Sequence, residues 1–138
     1  MPKRVPPGSL ERHMARSKAA DELGRRGEEM ARSYLAERGY EFIERNWHRT
    51  TGEIDLVMRE GMELVFVEVK TRFGDGAGRA EDAVSRAKTR KLLTTCEWYV
   101  NEHPEVAHLV WRCDLIAITF SRTAAPEIAH YENAIVIG

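Results

Sequence analysis

At 138 residues the chain suits one hydrophobic core and one domain. Hydrophobic residues make up 43% and charged residues 31%, an ordinary globular mixture. It lacks the run of roughly 18 apolar residues that a transmembrane helix needs, so no membrane partner and a cytoplasmic location are expected. A net charge of -1 excludes a protein that coats an acidic polymer by charge alone, but not one with a local basic patch.

The first 18 residues hold three of the five prolines and several basic residues, with neither a sustained apolar period nor the apolar stretch of a secretory signal. They read as a disordered extension, leaving 19–138 as the single domain. A helix is expected from Ala19 to Arg38, with Leu23, Met30, Ala31, Tyr34 and Leu35 as its apolar stripe and Gly39 as its stop. Strands follow at 40–47, 52–58 and 63–71. The third is apolar on both faces up to Glu68, as a central strand would be. After a glycine-rich loop at 74–78, a second helix is expected over 79–101, with apolar positions Ala83, Val84, Ala87, Leu92, Leu93, Cys96, Trp98, Tyr99 and Val100. Val110–Phe120 is a fourth strand and 128–137 holds a last one. The order predicts an α/β fold, a central mixed sheet flanked by helices. Cys96 and Cys113 and the five histidines lack metal-type spacing, and Trp47, Trp98 and Trp111 read as core.

The pair of strands around Glu60-Gly61-Met62 carries the chemistry. Side chains alternate along a strand. If the apolar sets Ile54, Leu56, Met58 and Val65, Val67, Val69 are to share a face, the turn must hold two residues, Glu60-Gly61 or Gly61-Met62. The same parity brings Asp55 to the face of Glu68 and Lys70. Carboxylates there suit Mg²⁺ or Mn²⁺ held by Asp55 and Glu68, with the backbone carbonyl of Val69 as a further ligand. Lys70 would then orient or help deprotonate an attacking water and stabilise charge on a phosphate. A solvated polar face with a structural Lys–carboxylate pair accounts for the spacing equally simply. Residues 79–91 hold five basic and two acidic residues. Arg86, Arg90 and either Lys88 or Lys91 lie within helical reach of one another there. Arg112 and Asp114 open the fourth strand, and Asp114 reads as half of a structural ion pair with Arg45 or Arg49 rather than as a metal ligand.

The segments GEIDLV (52–57) and VFVEVKTR (65–72) resemble the signature of the PD-(D/E)XK nuclease superfamily, with Ile54 standing where the signature has proline. Over residues 24–134 the chain is similar to the YraN-like family of predicted endonucleases, themselves distantly similar to archaeal Holliday junction resolvases. The similarity runs through GRRGEEMARSYLAERGY (24–40), RNW (45–47), GEIDLV, FVEVKTR (66–72), RCDLIAI (112–118) and ENA (132–134). It implies a restriction-endonuclease-like fold and a Mg-dependent endonuclease acting on structured or branched DNA, and it permits a homodimer. It adds Glu28, matched with Gly24 in a G-x-x-x-E pattern, to Asp55, Glu68 and Lys70 as catalytic residues. It gives Lys88 a place beside the site. Arg72 and Arg79, flanking the glycine-rich loop, would grip phosphates with Arg86, Lys88 and Arg90. The alternatives are a non-catalytic nucleic-acid-binding protein that keeps the fold, and a metal-binding structural protein.

Overall fold

A computed structural model describes residues 9–74 and 86–136, the side chains of 9–17, 19 and 20 excepted. The elements run α1 (Ser9–Glu37), β1 (Glu41–Arg49), β2 (Gly52–Glu60), β3 (Glu63–Phe73), α2 (Arg86–Glu102), β4 (Val110–Phe120) and β5 (Glu127–Tyr131), with a short 3₁₀ turn at Pro104–Val106. The strands form one sheet in the order β1-β2-β3-β4-β5. Neighbours are antiparallel except β3 and β4, which are parallel. A parallel pair needs a crossover connection, and the segment containing α2 supplies it. The result is the mixed sheet with flanking helices of the restriction-endonuclease-like arrangement. Among the described residues no helix is long and apolar enough to cross a membrane.

Two cores sandwich the sheet. Ala31 and Leu35 of α1 pack with Leu56, Met58, Val65, Val67, Ile116 and Ile118, while Leu23, Met30 and Tyr34 border that cluster. The α1 stripe is therefore the one its spacing predicts. On the other face Leu92, Leu93, Cys96 and Tyr99 of α2 pack with Trp47, Val57, Phe66, Cys113 and Leu115. Ring edges join Trp47, Tyr99, Phe66 and Trp111 at centroid separations of 5.0–5.5 Å. Trp98 and Trp111 are half-buried against this cluster. Ala87 of the expected stripe is exposed, and Ala83 and Val84 lie outside the described residues.

The boundaries differ most at the start of α1. α1 starts at Ser9 rather than Ala19, so residues 9–18 are helical rather than disordered. That stretch is rich in Leu, Glu, Arg, Met, Ala and Lys, good helix formers that need no apolar period to adopt the conformation. The last strand expected within 128–137 is β5, Glu127–Tyr131. Residues 79–85 of the expected second helix lie outside the described residues, and from Arg86 on the helix is present.

Candidate functional site

The β2–β3 hairpin turns on Gly61-Met62, with Glu60 facing Glu63 and Leu56 facing Val67. Gly61 supplies a φ of 59° at the first turn position, the conformation a two-residue hairpin loop takes with glycine there. The predicted parity therefore holds, and Leu56, Met58, Val65, Val67 and Val69 share the α1 face. Ile54 is the exception, because it packs in the α2 core. The paired register of β2 and β3 ends at Leu56–Val67. Beyond it the Val69 N–H donates to Asp55 Oδ2 at 2.8 Å. A side chain has taken the place of the next rung, so β2 is free to turn and carry Ile54 across. In an extended strand a residue's N–H and C=O point to the same edge. The Val69 carbonyl thus faces the gap in which Asp55 stands.

Glu68 and Lys70 lie together on the other face. Lys70 Nζ is 3.1 Å from Glu68 Oε1, and both are half-buried. With Thr51, Gly52, Glu53, Lys88, Lys91 and Leu92 they line a cleft of about 180 Å³, room for several waters or a hydrated ion. The α2 wall of this cleft is tied to the β1–β2 turn. The buried Thr95 hydroxyl donates to the Lys91 carbonyl at 2.8 Å and pairs with the Thr51 hydroxyl at 2.7 Å.

α1 brings in a further acid. Gly27 is buried against β3 so closely that a Cβ there would meet Thr71 Cγ2 at 2.0 Å, whereas Gly24 has nothing within 4 Å. The close approach at Gly27 sets the neighbouring Glu28 over the sheet, where Glu53, Asn46, Arg45 and Glu68 surround it. Burial pushes the Glu28 carboxyl up, Glu53 adds to this, and an Asn46 hydrogen bond and Arg45 only partly offset it. Asp55 is raised well above the usual range, first by burial and next by the charge of Glu68, with Glu28 and Glu53 adding to the effect. The Val69 N–H works in the opposite direction without winning. Four carboxylates thus act on one another around Asp55, and Lys70 beside Glu68 is the ammonium paired among them.

This field favours a cation, and the donors present are hard oxygens, which fits Mg²⁺ or Mn²⁺. Among the described residues no three His, Cys, Asp or Glu side chains are arranged to enclose a metal. A site of one or two carboxylates, a backbone carbonyl and water is the kind Mg²⁺ uses when a phosphate completes its shell.

The basic residues divide. Lys88 and Lys91 line the cleft, whereas the exposed Arg86 and Arg90 do not. Helix geometry separates them, because residues three and four apart share a face and residues two apart do not. Arg72 is half-buried near the end of β3, and Arg79 lies outside the described residues. Glu53, Asn46 and Lys91 are additions to the set that sequence reasoning assembled. Glu53 was marked by its spacing of two from Asp55. Asn46 lies in the RNW segment but carried no chemical signal.

Asp114 is fully buried and is not bonded to Arg45 or Arg49. Arg45 lies near Glu29 at 3.8 Å and Arg49 pairs with Glu102 at 2.8 Å. Asp114 instead accepts from Arg112 Nε at 3.0 Å, His130 Nε2 at 2.8 Å and the Asn133 N–H at 2.8 Å. Arg112 also bonds Glu63 and the Tyr40 hydroxyl. Burial pushes the Asp114 carboxyl up, but the bonds from His130, Arg112 and Asn133 outweigh it and hold it below the ordinary value. The expectation of a structural ion pair stands, with its partners corrected. Arg112 sits two residues away on the same strand face, nearer than any partner sought at long range.

Residues 27–118, which span every acid of the cleft, match the model of "Uncharacterised protein family UPF0102". A UPF0102 protein of Clavibacter michiganensis subsp. michiganensis is 43% identical over 113 residues, covering 82% of this chain and 95% of that protein. One from Roseiflexus castenholzii is 39% identical over 114 residues, covering 82% and 92%. A third, from Frankia casuarinae, is 38% identical over 117 residues, covering 85% and 98%. These matches extend over most of both partners, and they agree with the motifs in 24–134. The chain belongs to the UPF0102 family, the YraN-like group whose motifs its sequence carries.

Proposed function

We propose that the protein is a Mg²⁺- or Mn²⁺-dependent endonuclease that hydrolyses phosphodiester bonds of structured or branched DNA. The observation that carries this reading is the break in the β2–β3 ladder. There Asp55 replaces a backbone partner at Val69, while Glu68 and Lys70 flank Val69 on either side.

Asp55, Glu68 and the Val69 carbonyl would hold the cation. When bound, it would neutralise charge on the scissile phosphate and make water a better nucleophile. Each protein group then has a task that follows from its surroundings. The Val69 N–H orients Asp55. Glu68 holds the Lys70 ammonium at 3.1 Å, directed into the cleft, where it donates to the attacking water or to a phosphate oxygen. Lys88 and Lys91, on the opposite wall, meet the neighbouring phosphates. Arg72 lies near the end of β3, and Arg86 and Arg90 on the outer side of α2 extend the basic surface beyond the cleft.

The test is a cleavage assay on a panel of linear, flapped and four-way-junction DNAs with Mg²⁺ or Mn²⁺, run with wild type and Lys70→Ala. Wild type should cut at least one branched substrate. Lys70→Ala should lower the rate about 10²-fold or more while leaving DNA affinity intact, the scale lost with one preorganised electrostatic group. Binding with a normal salt dependence and no cleavage of any substrate would favour the non-catalytic alternative.

A further inference from the structure

Asn46 adopts a φ of 53°, a region rarely occupied by residues other than glycine and most readily by asparagine. It falls where β1 changes faces together with β2: the register runs unbroken from Glu44–Val57 to Arg49–Gly52, yet Arg45 and Leu56 lie toward α1 whereas Trp47 and Ile54 lie in the α2 core. The same conformation turns the Asn46 side chain toward the acids. Carboxylates only accept hydrogen bonds, so the amide nitrogen, not the oxygen, must face them. In that orientation Nδ2 donates to Glu53 Oε1 and to Glu28 Oε2, each at 3.1 Å. One amide uses both of its protons on two carboxylates from different elements, through charge-assisted bonds. Like charges this close repel, and without a shared donor each side chain would turn into solvent.

We infer that Asn46 is a positioning residue whose amide, aimed by its left-handed backbone, clamps Glu28 of α1 to Glu53 of β2. The clamp fixes where the α1 carboxylate stands relative to Asp55 and Glu68. The purpose of that placement rests on the reading of the site as a cation-dependent nuclease. The clamp itself does not. The backbone of α1 is already set by Gly27 against Thr71, so the side-chain angles of Glu28 and Glu53 are the freedom that Asn46 removes.

Two measurements test this, neither needing turnover. The first is the side-chain amide spectrum of ¹⁵N-labelled, metal-free protein, with the Asn46 pair assigned by its loss in Asn46→Gly. Glu28→Ala and Glu53→Ala should each shift mainly one of the two Nδ2 protons, and not the same one. A pair that stays at free-amide positions in both variants overturns the clamp. The second is calorimetry with Mn²⁺. Asn46→Gly keeps the backbone conformation and removes the amide. It should weaken Mn²⁺ binding about tenfold without lowering the melting temperature, because Glu28 and Glu53, whose charges act on Asp55, are then free to swing away from it. Asn46→Asp, which presents an acceptor in place of the donor, should not rescue it. Unchanged Mn²⁺ affinity in Asn46→Gly overturns the positioning role. Absence of Mn²⁺ binding in wild type would remove the cation reading, and the amide spectrum would still decide the clamp.

Discussion

Asp55 and Asp114 lie on β2 and β4, with only β3 between them; Asp114 is fully buried and Asp55 half-buried. Their surroundings drive them in opposite directions. Asp114 is enclosed by a guanidinium, an imidazole and a backbone N–H, and its carboxyl lies below the ordinary value. Among the described residues Asp55 has one backbone N–H donor, and burial together with the charges of three glutamates drives its carboxyl well above the ordinary value. Burial opposes ionisation at both sites, so compensation by partners makes the difference. A compensated buried carboxylate cements a fold. An uncompensated one is a liability that the fold retains, and a bound cation would remove it.

The largest effect should come from breaking the compensated site. Asp114→Asn removes the buried charge that Arg112, His130 and the Asn133 N–H enclose, and although Arg112 keeps Glu63 the loss should approach that of a broken buried ion pair, about 3–5 kcal/mol. Urea unfolding should show it as a lower midpoint at pH 7. If the loss were under about 1 kcal/mol, Asp114 would not be the anchor of this network.

A smaller effect tests how α1 delivers Glu28 to the uncompensated site. Gly27→Ala forces a methyl into Thr71 and should destabilise by about 1–3 kcal/mol, less the helix-propensity gain of alanine. Gly24→Ala meets open space and should be neutral or stabilising by up to about 1 kcal/mol. The reverse ranking would mean that α1 crosses the sheet at Gly24, the glycine that the G-x-x-x-E resemblance had selected.

The subtlest effect is the pH dependence of Asp55→Asn in metal-free protein. The folded chain holds the Asp55 proton above the ordinary 3.8, whereas the unfolded chain releases it there. Ionisation of Asp55 therefore opposes folding increasingly as pH rises through 3.8 toward the raised folded value. Asp55→Asn removes that penalty. The variant should match wild type at acid pH and become the more stable of the two above about pH 4. Asp114 has the opposite sign. Its contribution is present above the ordinary value and is lost as pH falls through the lowered one. If Asp55→Asn were less stable than wild type at pH 7, Asp55 would be a structural residue like Asp114.

The frame of the site was legible in the sequence, because it follows from strand alternation and turn length. Gly61-Met62 sets the parity, the parity aligns the apolar sets, and Glu68 and Lys70 come to one cleft as a consequence. What could not be read depends on contacts between distant segments. The break in the ladder at Asp55 carries Ile54 to the opposite core, and no local pattern announces it. Gly27 rather than Gly24 approaches β3 because of where α1 crosses the sheet. Asn46 has meaning only once Glu28 and Glu53 converge on it. The basic face of α2 was ambiguous until packing fixed the rotation of the helix. Leu92, Leu93 and Tyr99 point into the core, and this turns Lys88 and Lys91 toward the cleft and Arg86 and Arg90 away from it.

If a divalent cation balances the acids around Asp55, calorimetric titration of the metal-free protein with Mn²⁺ will register it. Wild type should bind about one ion per chain. Asp55→Asn should abolish that heat, and any folded Asp114→Asn protein should retain it. An isotherm in Asp55→Asn indistinguishable from that of wild type would contradict that balance.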